Sequence, residues 1–375
     1  MGLMLRRKSC WRSITVYDLD MKVAIVGIQG VPAHYGGFES LVENIIGENK
    51  PEEVDYTIFC SSKDMKPIIP KYKGCRLKYV GLHANGAQST PYDIISMCKC
   101  VGKGYDVVLV LGVSGCLFLP VFRLLYRRKL IINIDGLEHR RAKWGRFAKW
   151  MLRTSEEMAV RYADVIIADN KGIQDYVTET YHKPSQLIAY GGDHVLKDVP
   201  ADRKKEILQH YGVEAGKYAI TVCRIEPENN CHIVLEAAAQ SGYELVFIGN
   251  WNYSAYGIEL KSKYSQYKNI HVLDAIYDSE ILYVLRSNAS IYIHGHSAGG
   301  TNPSLVEAMF FGIPIVAFDV VYNKATTDER AYYFKTVDDL VNTLNRTDLD
   351  GSAMLEIAKE IYTWKKIAAQ YAALY

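Results

Sequence analysis

The sequence predicts an α/β protein built as two doubly wound domains that face each other across a cleft. Three observations lead there. Short apolar, β-branched runs alternate with helical stretches in two successive series, the pattern of parallel sheets. A weakly patterned stretch from Gly191 to Arg203, containing Pro200, separates the series and reads as a hinge. Each series carries a glycine-rich turn that leaves an apolar run and enters a helix. Both turns therefore fall at strand carboxyl ends, where such sheets bind ligands.

Length and composition set the bounds. A chain of 375 residues holds one large or two ordinary domains. A hydrophobic content of 49% with 23% charged residues describes a soluble globular protein. The net charge of +2, with no recognition module beside the basic residues, argues against nucleic-acid binding. The 8 cysteines are scattered without a C-x-x-C pair and read as reduced thiols rather than metal ligands. Residues 1–20 carry Arg6, Arg7, Lys8 and Arg12 but no apolar core of signal-peptide length. They read as a basic extension, or a start codon assigned too early, and alternatively as a membrane-surface tail. The longest apolar stretch, Val107 to Phe122, is broken by Gly112, Ser114, Gly115 and Pro120 and falls short of the roughly 20 residues a spanning helix needs.

The first domain, residues 21–195, opens with the run Lys22–Val26. A glycine-rich loop follows, ending in Gly36-Gly37 at the start of a helix. Its glycine spacing is not G-x-G-x-x-G, so a dinucleotide-binding reading fails. Further strands are predicted at Asp55–Cys60, Arg76–Val80, Asp106–Leu111, Leu130–Ile134, Val165–Ala168 and Gln186–Ala189. Between Trp144 and Tyr162 lies an amphipathic helix. Trp144, Phe147, Met151, Met158 and Tyr162 fall on one face, with Arg146, Lys149 and Arg153 opposite. Arg123, Arg127, Arg128 and Lys129 add charge upstream. This surface reads either as an ordinary solvated face or as a cationic patch for anionic lipid.

The second domain, residues 196–350, has predicted strands at Tyr218–Cys223, Glu244–Ile248, Ile270–Leu273, Ala289–Ile293, Ile315–Ala317 and Ala331–Phe334. Its central feature is His294-Gly-His-Ser-Ala-Gly-Gly-Thr-Asn-Pro-Ser-Leu-Val-Glu-Ala-Met309. Gly299 and Gly300 let backbone approach a ligand; Asn302 suits an N-cap and Pro303 the first helical position. Amides at a helix start favour phosphate, and Glu307, a turn further in, can accept hydrogen bonds from sugar hydroxyls. His294 and His296 have no carboxylate at ligand spacing, which favours hydrogen bonding over a metal site. Residues 351–375 carry apolar positions at three- and four-residue steps, from Met354 to Leu374, and read as one helix packing across the domains.

Four motifs together resemble a retaining GT-B glycosyltransferase of family 4, and within it the bacterial rhamnosyltransferase branch. They are Gly27–Glu39, the Asn133-Ile-Asp-Gly-Leu-Glu-His-Arg-Arg-Ala-Lys-Trp144 segment, Cys223-Arg-Ile-Glu-Pro-Glu-Asn-Asn230, and the His294–Met309 segment. The resemblance implies two Rossmann-like domains and no obligatory metal or other cofactor. It places Gly36 and Gly37 beside the donor diphosphate or the acceptor, and Asp135–His139 on the acceptor side. Arg224 would neutralise the diphosphate, Glu307 would bind ribose hydroxyls, and His294, Gly299, Gly300, Thr301 and Asn302 would line the donor. His139 stands between an acid–base and a structural role. Arg224, Glu307 and His139 are thus the catalytic candidates.

Two positions depart from that family. Gly299 stands where a glutamate is usual, eight residues before Glu307, and Asn229 stands where a lysine is usual. The resemblance implies transfer of a hexosyl unit, most readily L-rhamnose from dTDP-rhamnose, to a lipid-linked saccharide in bacterial surface polysaccharide synthesis. It places the protein in the cytoplasm, peripheral on the inner face of the membrane. The rival readings are a nucleotide-sugar epimerase on the same fold and a non-catalytic nucleotide-sugar binder.

Overall fold

The apolar runs become the strands of two separate sheets. The computed structural model describes residues 21–33, 36–49, 54–140 and 144–375. The extension 1–20, and His34, Tyr35, Arg141, Ala142 and Lys143 of the motifs, lie outside the described residues.

The first sheet comprises β1 (Met21–Val26), β2 (Val54–Ser61), β3 (Lys71–Tyr72), β4 (Cys75–Val80), β5 (Val107–Leu111), β6 (Lys129–Asn133), β7 (Val165–Ala168) and β8 (Gln186–Leu187). Their order is β3-β4-β2-β1-β5-β6-β7-β8, parallel except for the β3–β4 pair. Every residue of β5 is buried, with no alternation, because helices cover both faces of the sheet.

The second sheet comprises β9 (Ala219–Val222), β10 (Leu245–Ile248), β11 (Ile270–Leu273), β12 (Ile291–His294), β13 (Ile315–Phe318) and β14 (Tyr332–Phe334). It is fully parallel, in the order β11-β10-β9-β12-β13-β14. Strand order reverses between β1 and β5 in one sheet and between β9 and β12 in the other. A crevice opens beyond the strand ends at such a reversal. The Gly27–Gly36 loop leaves β1, the Arg224 loop leaves β9, and the Gly299–Asn302 loop leaves β12.

The C-terminal segment is two helices, not one. Ser352–Ile361 packs on helix Pro303–Met309 of the second domain, whereas Trp364–Ala372 packs on helix Gly37–Glu48 of the first. The break at Tyr362–Thr363 is where the chain crosses back. Tyr371 accepts a hydrogen bond from the Asn133 side-chain amide at 2.9 Å, which anchors the crossing helix at the end of β6.

Helix Arg146–Tyr162 also differs from its sequence pattern. Its buried stripe is Leu152, Ser155, Glu156, Ala159 and Val160, while Phe147 and Trp150 are 75% and 62% exposed. Glu156 is tolerated inside because Tyr176 and Tyr181 each donate a hydroxyl to it at 2.8 Å, and His139 Nδ1 lies 3.1 Å away. Among the described residues, no helix is long and apolar enough to cross a membrane.

Candidate active site

The site is assembled from loops of both sheets. On the first-domain side, helix Gly37–Glu48 begins at an N-cap glycine, Gly36, with φ 124°. A side chain there would collide with the Glu39 carboxylate, which accepts the Gln29 amide at 2.8 Å; Glu43 takes the Ala33 amide at 3.2 Å. These carboxylates occupy amides that an anion would otherwise use. Gly37 faces the second domain, a β-carbon there lying 3.6 Å from the Pro303 ring. Asp135, in the left-handed region at φ 61°, donates its backbone amide to Asn133 Oδ1 at 3.0 Å.

The two domains meet backbone to backbone at Gly136. A β-carbon there would sit 2.7 Å from Gly299 Cα and 2.9 Å from the Gly300 amide nitrogen, so only glycine admits the approach. Beside it, Asp169 packs on Gly300, and the Thr301 hydroxyl donates to the Asp169 carbonyl. Asn170 reinforces the junction, donating to Thr301 Oγ1 at 3.1 Å and Thr326 Oγ1 at 3.2 Å. Asp169 Oδ1 is buried without a hydrogen-bond partner among the described residues. Burial, then the nearby Asp135 charge, pushes its carboxyl well above the ordinary range. Burial first, and then the same two aspartates, raise Tyr190 well above the ordinary phenol range. The first-domain wall is therefore lined by carboxyl and phenol groups, which suit hydroxyl ligands better than a diphosphate.

The second-domain wall has the opposite character. Arg224 follows β9 with its side chain 42% exposed; among the described residues its ion pair, with Glu226, is loose at 3.9 Å. The loop behind it is fixed. Asn229, the position at which the resemblance leads one to expect a lysine, is buried and holds the Arg224 carbonyl at 2.6 Å. It also bonds His296 Nδ1 at 2.6 Å, tying the Arg224 loop to the loop after β12. Asn229 is thus a strut between two ligand loops. Asn302 caps helix Pro303–Met309 by accepting the Ser304 amide at 3.0 Å, as its sequence predicts.

His294 lies deep in the sheet, 2% exposed, stacked on Tyr292, with Nε2 lacking a partner among the described residues. Burial, and then the neighbouring His296 and Arg286, hold its pKa well below the ordinary value, so it is neutral. Among the described residues, no group of three His, Cys, Asp or Glu is placed to hold a metal ion.

Glu307 does not stand open. Buried Arg286 donates to its Oε2 at 2.7 Å and to the Ser304 carbonyl at 3.0 Å, and His194 Nε2 lies 3.6 Å from Oε1. Sequence reasoning missed Arg286, Asp169 and His194. A signal existed for the first: Arg286 is the charged residue beside Val284 and Leu285 on the apolar side of helix Ser279–Ser287.

Residues 20–193 match a domain of unknown function (DUF1972), and residues 202–346 match the glycosyl transferases group 1 family. The chain has the GT-B fold. Sucrose-phosphate synthase from Thermosynechococcus elongatus superposes with a TM-score of 0.79 at 17% identity, covering 95% of this chain and 98% of that one. HepE from Anabaena, solved in complex with UDP, gives 0.73 at 16% identity over 94% and 99%. A putative UDP-N-acetylglucosamine 2-epimerase from Listeria monocytogenes gives 0.60 at 14% identity over 94% and 95%. No curated protein matches the sequence. The group 1 match over residues 202–346 supports glycosyltransferase activity.

Proposed function

We propose that the protein transfers a hexosyl unit, L-rhamnose from dTDP-rhamnose, to a lipid-linked saccharide acceptor at the inner membrane face, with retention of anomeric configuration. The observation that carries this reading is the polarity of the cleft. A lightly paired arginine stands on the second domain, and a wall carrying the Asp135 and Asp169 carboxyl groups stands opposite across the Gly136–Gly299 contact.

Arg224 supports the diphosphate as the glycosidic bond breaks, where negative charge develops on the leaving group. The Gly299–Asn302 loop and His294 lie beside the donor, and Glu307 takes the ribose hydroxyls. Gly299, in place of a glutamate, favours a deoxy sugar that needs fewer polar contacts. No carboxylate stands out as a covalent nucleophile, so attack is on the departing face. The C1–O bond to the diphosphate breaks, the bond to the acceptor oxygen forms, and the acceptor proton passes to a phosphate oxygen. Asp135 and His139 lie on the acceptor side, His139 oriented by Glu156. Closure around Gly136 excludes water that would otherwise hydrolyse the donor.

The lipid-linked acceptor is supported by a surface on the first domain. Helices Leu119–Leu125 and Arg146–Tyr162 pack together and leave Val121, Leu124, Leu125, Phe147 and Trp150 exposed. Arg146, Lys149 and Arg153 flank them. Apolar side chains with neighbouring cations match the edge of an anionic bilayer.

A thermal-stabilisation screen of nucleotide sugars, followed by a nucleotide-release assay, tests the reading. Stabilisation by dTDP-rhamnose, and release of dTDP that depends on a lipid-linked saccharide, is the expected result. Conversion of donor alone would instead identify an epimerase, the reading favoured by the Listeria likeness. Binding without release would identify a non-catalytic binder.

A further inference from the structure

The interdomain crossing reaches into the donor site through one side chain. His194 lies in the linker stretch Gly191 to Arg203, yet its ring stands beside Glu307 on helix Pro303–Met309. The linker is stitched to the second crossing point. Gly192 donates its amide to the Tyr362 carbonyl at 2.9 Å, and the Trp364 amide donates to Asp193 Oδ1 at 2.8 Å. Trp364 is buried at the start of the helix that packs on the first domain. Its indole Nε1–H donates to His194 Nδ1 at 2.8 Å.

That last contact fixes the chemistry of the ring. An indole N–H can only donate, so His194 Nδ1 must carry a lone pair and the neutral ring carries its proton on Nε2. Nε2–H is the group that faces Glu307 Oε1 at 3.6 Å, just beyond hydrogen-bonding reach. The other carboxylate oxygen is already held by Arg286. Loss of hydration around the ring lowers the His194 pKa, in the same direction, although a third of the side chain meets solvent.

We infer that His194 is a positioning residue for Glu307: with its tautomer set by Trp364, it closes on the second carboxylate oxygen and orients Glu307 toward the nucleoside. This rests on the assignment of Glu307 to the donor ribose given above. It makes the nucleoside, rather than the diphosphate, the part of the donor sensed by the interdomain crossing. Both chain crossings contribute: the linker supplies the histidine and the return segment supplies the indole.

The test is calorimetric titration of the full chain with dTDP, UDP and inorganic pyrophosphate. For His194→Ala, nucleoside diphosphate affinity should fall about five-fold, with pyrophosphate affinity unchanged. His194→Gln, which can present an amide N–H, should recover part of the loss. In a Glu307→Gln background, His194→Ala should have little further effect, since the two residues act as one unit. Trp364→Phe, which keeps the ring but loses the donor, should mimic His194→Ala. Equal losses for pyrophosphate, additive losses with Glu307→Gln, or no loss in His194→Ala would each overturn the inference. If the unaltered protein binds nucleoside diphosphate but Glu307→Gln binds it equally well, the assignment of Glu307 fails and this inference with it.

Discussion

Arg286 Nη1 lies 2.7 Å from Glu307 Oε2, and this pair joins helix Ser279–Ser287 to helix Pro303–Met309. The guanidinium is almost wholly buried, between Tyr292 and Phe311, while the carboxylate keeps some exposure. Removing the cation leaves a half-buried carboxylate without its main partner. Arg286→Met should therefore destabilise the fold by about 3 kcal/mol, the low end for a broken buried pair because Glu307 keeps some water. Urea unfolding measures it. A change below about 0.5 kcal/mol would show that the pair is not structural.

Gly136 sets how closely the domains approach. Gly136→Ala places a methyl group within 2.7 Å of Gly299 Cα, against backbone that cannot rotate away. The domains must then separate by several tenths of an ångström. Donor turnover should fall at least tenfold, about 1.4 kcal/mol of barrier, while the melting temperature barely moves, because each domain keeps its own core. Paired turnover and thermal-unfolding measurements separate the two effects.

Asp93 lies under the loop that follows β5, where Ser114 Oγ donates to its Oδ2. Burial pushes its carboxyl from 3.8 up to about 7, against the lowering effect of the Ser114 and Gly115 hydrogen bonds. The folded protein thus holds this proton more tightly than the unfolded chain. The stability it confers is complete below about pH 4, the unfolded value, and is lost as pH rises through the folded value near 7. Asp93→Asn should flatten the decline in stability across that window. Urea midpoints taken across it check the slope.

Phe147 and Trp150 lie with ring centroids 5.9 Å apart on the solvent face of their helix. Replacing both with serine removes two exposed aromatic side chains and no buried contact. Binding to vesicles of anionic phospholipid should weaken at least tenfold, since each large apolar side chain inserted is worth about 1.5–3 kcal/mol. Thermal stability should stay unchanged. Vesicle flotation is the direct measurement.

Much of the fold is legible in the sequence because buried parallel strands are written as uninterrupted apolar runs. Val165–Ala168 falls where the sequence places it, and so does Ile270–Leu273, although that edge strand carries His271 and is only partly buried. Strand Lys71–Tyr72 is not legible: two polar residues carry no period, and pairing with Cys75–Arg76 alone defines it. The C-terminal helices read as one because their apolar steps continue through Tyr362 and Thr363. Their break is imposed by contacts with two different domains.

The site divides along the same line. Asn302, Pro303 and the paired glycines announce themselves locally, because capping and close approach depend on a few adjacent residues. The partners that hold Glu307 and His139 do not. Arg286 precedes Glu307 by 21 residues and Glu156 follows His139 by 17, each on a different helix from its partner. Glu156 could not be placed in the core without its two tyrosines, so the apolar pattern of that helix points to the wrong face.

The proposed chemistry depends on Arg224 meeting the leaving diphosphate of a nucleotide sugar across this cleft. The decisive measurement is steady-state turnover of dTDP-rhamnose with a lipid-linked saccharide, compared between the native protein and Arg224→Ala. Turnover should fall at least tenfold, about 1.4 kcal/mol, with the protein still folded; unchanged turnover would rule out that contact.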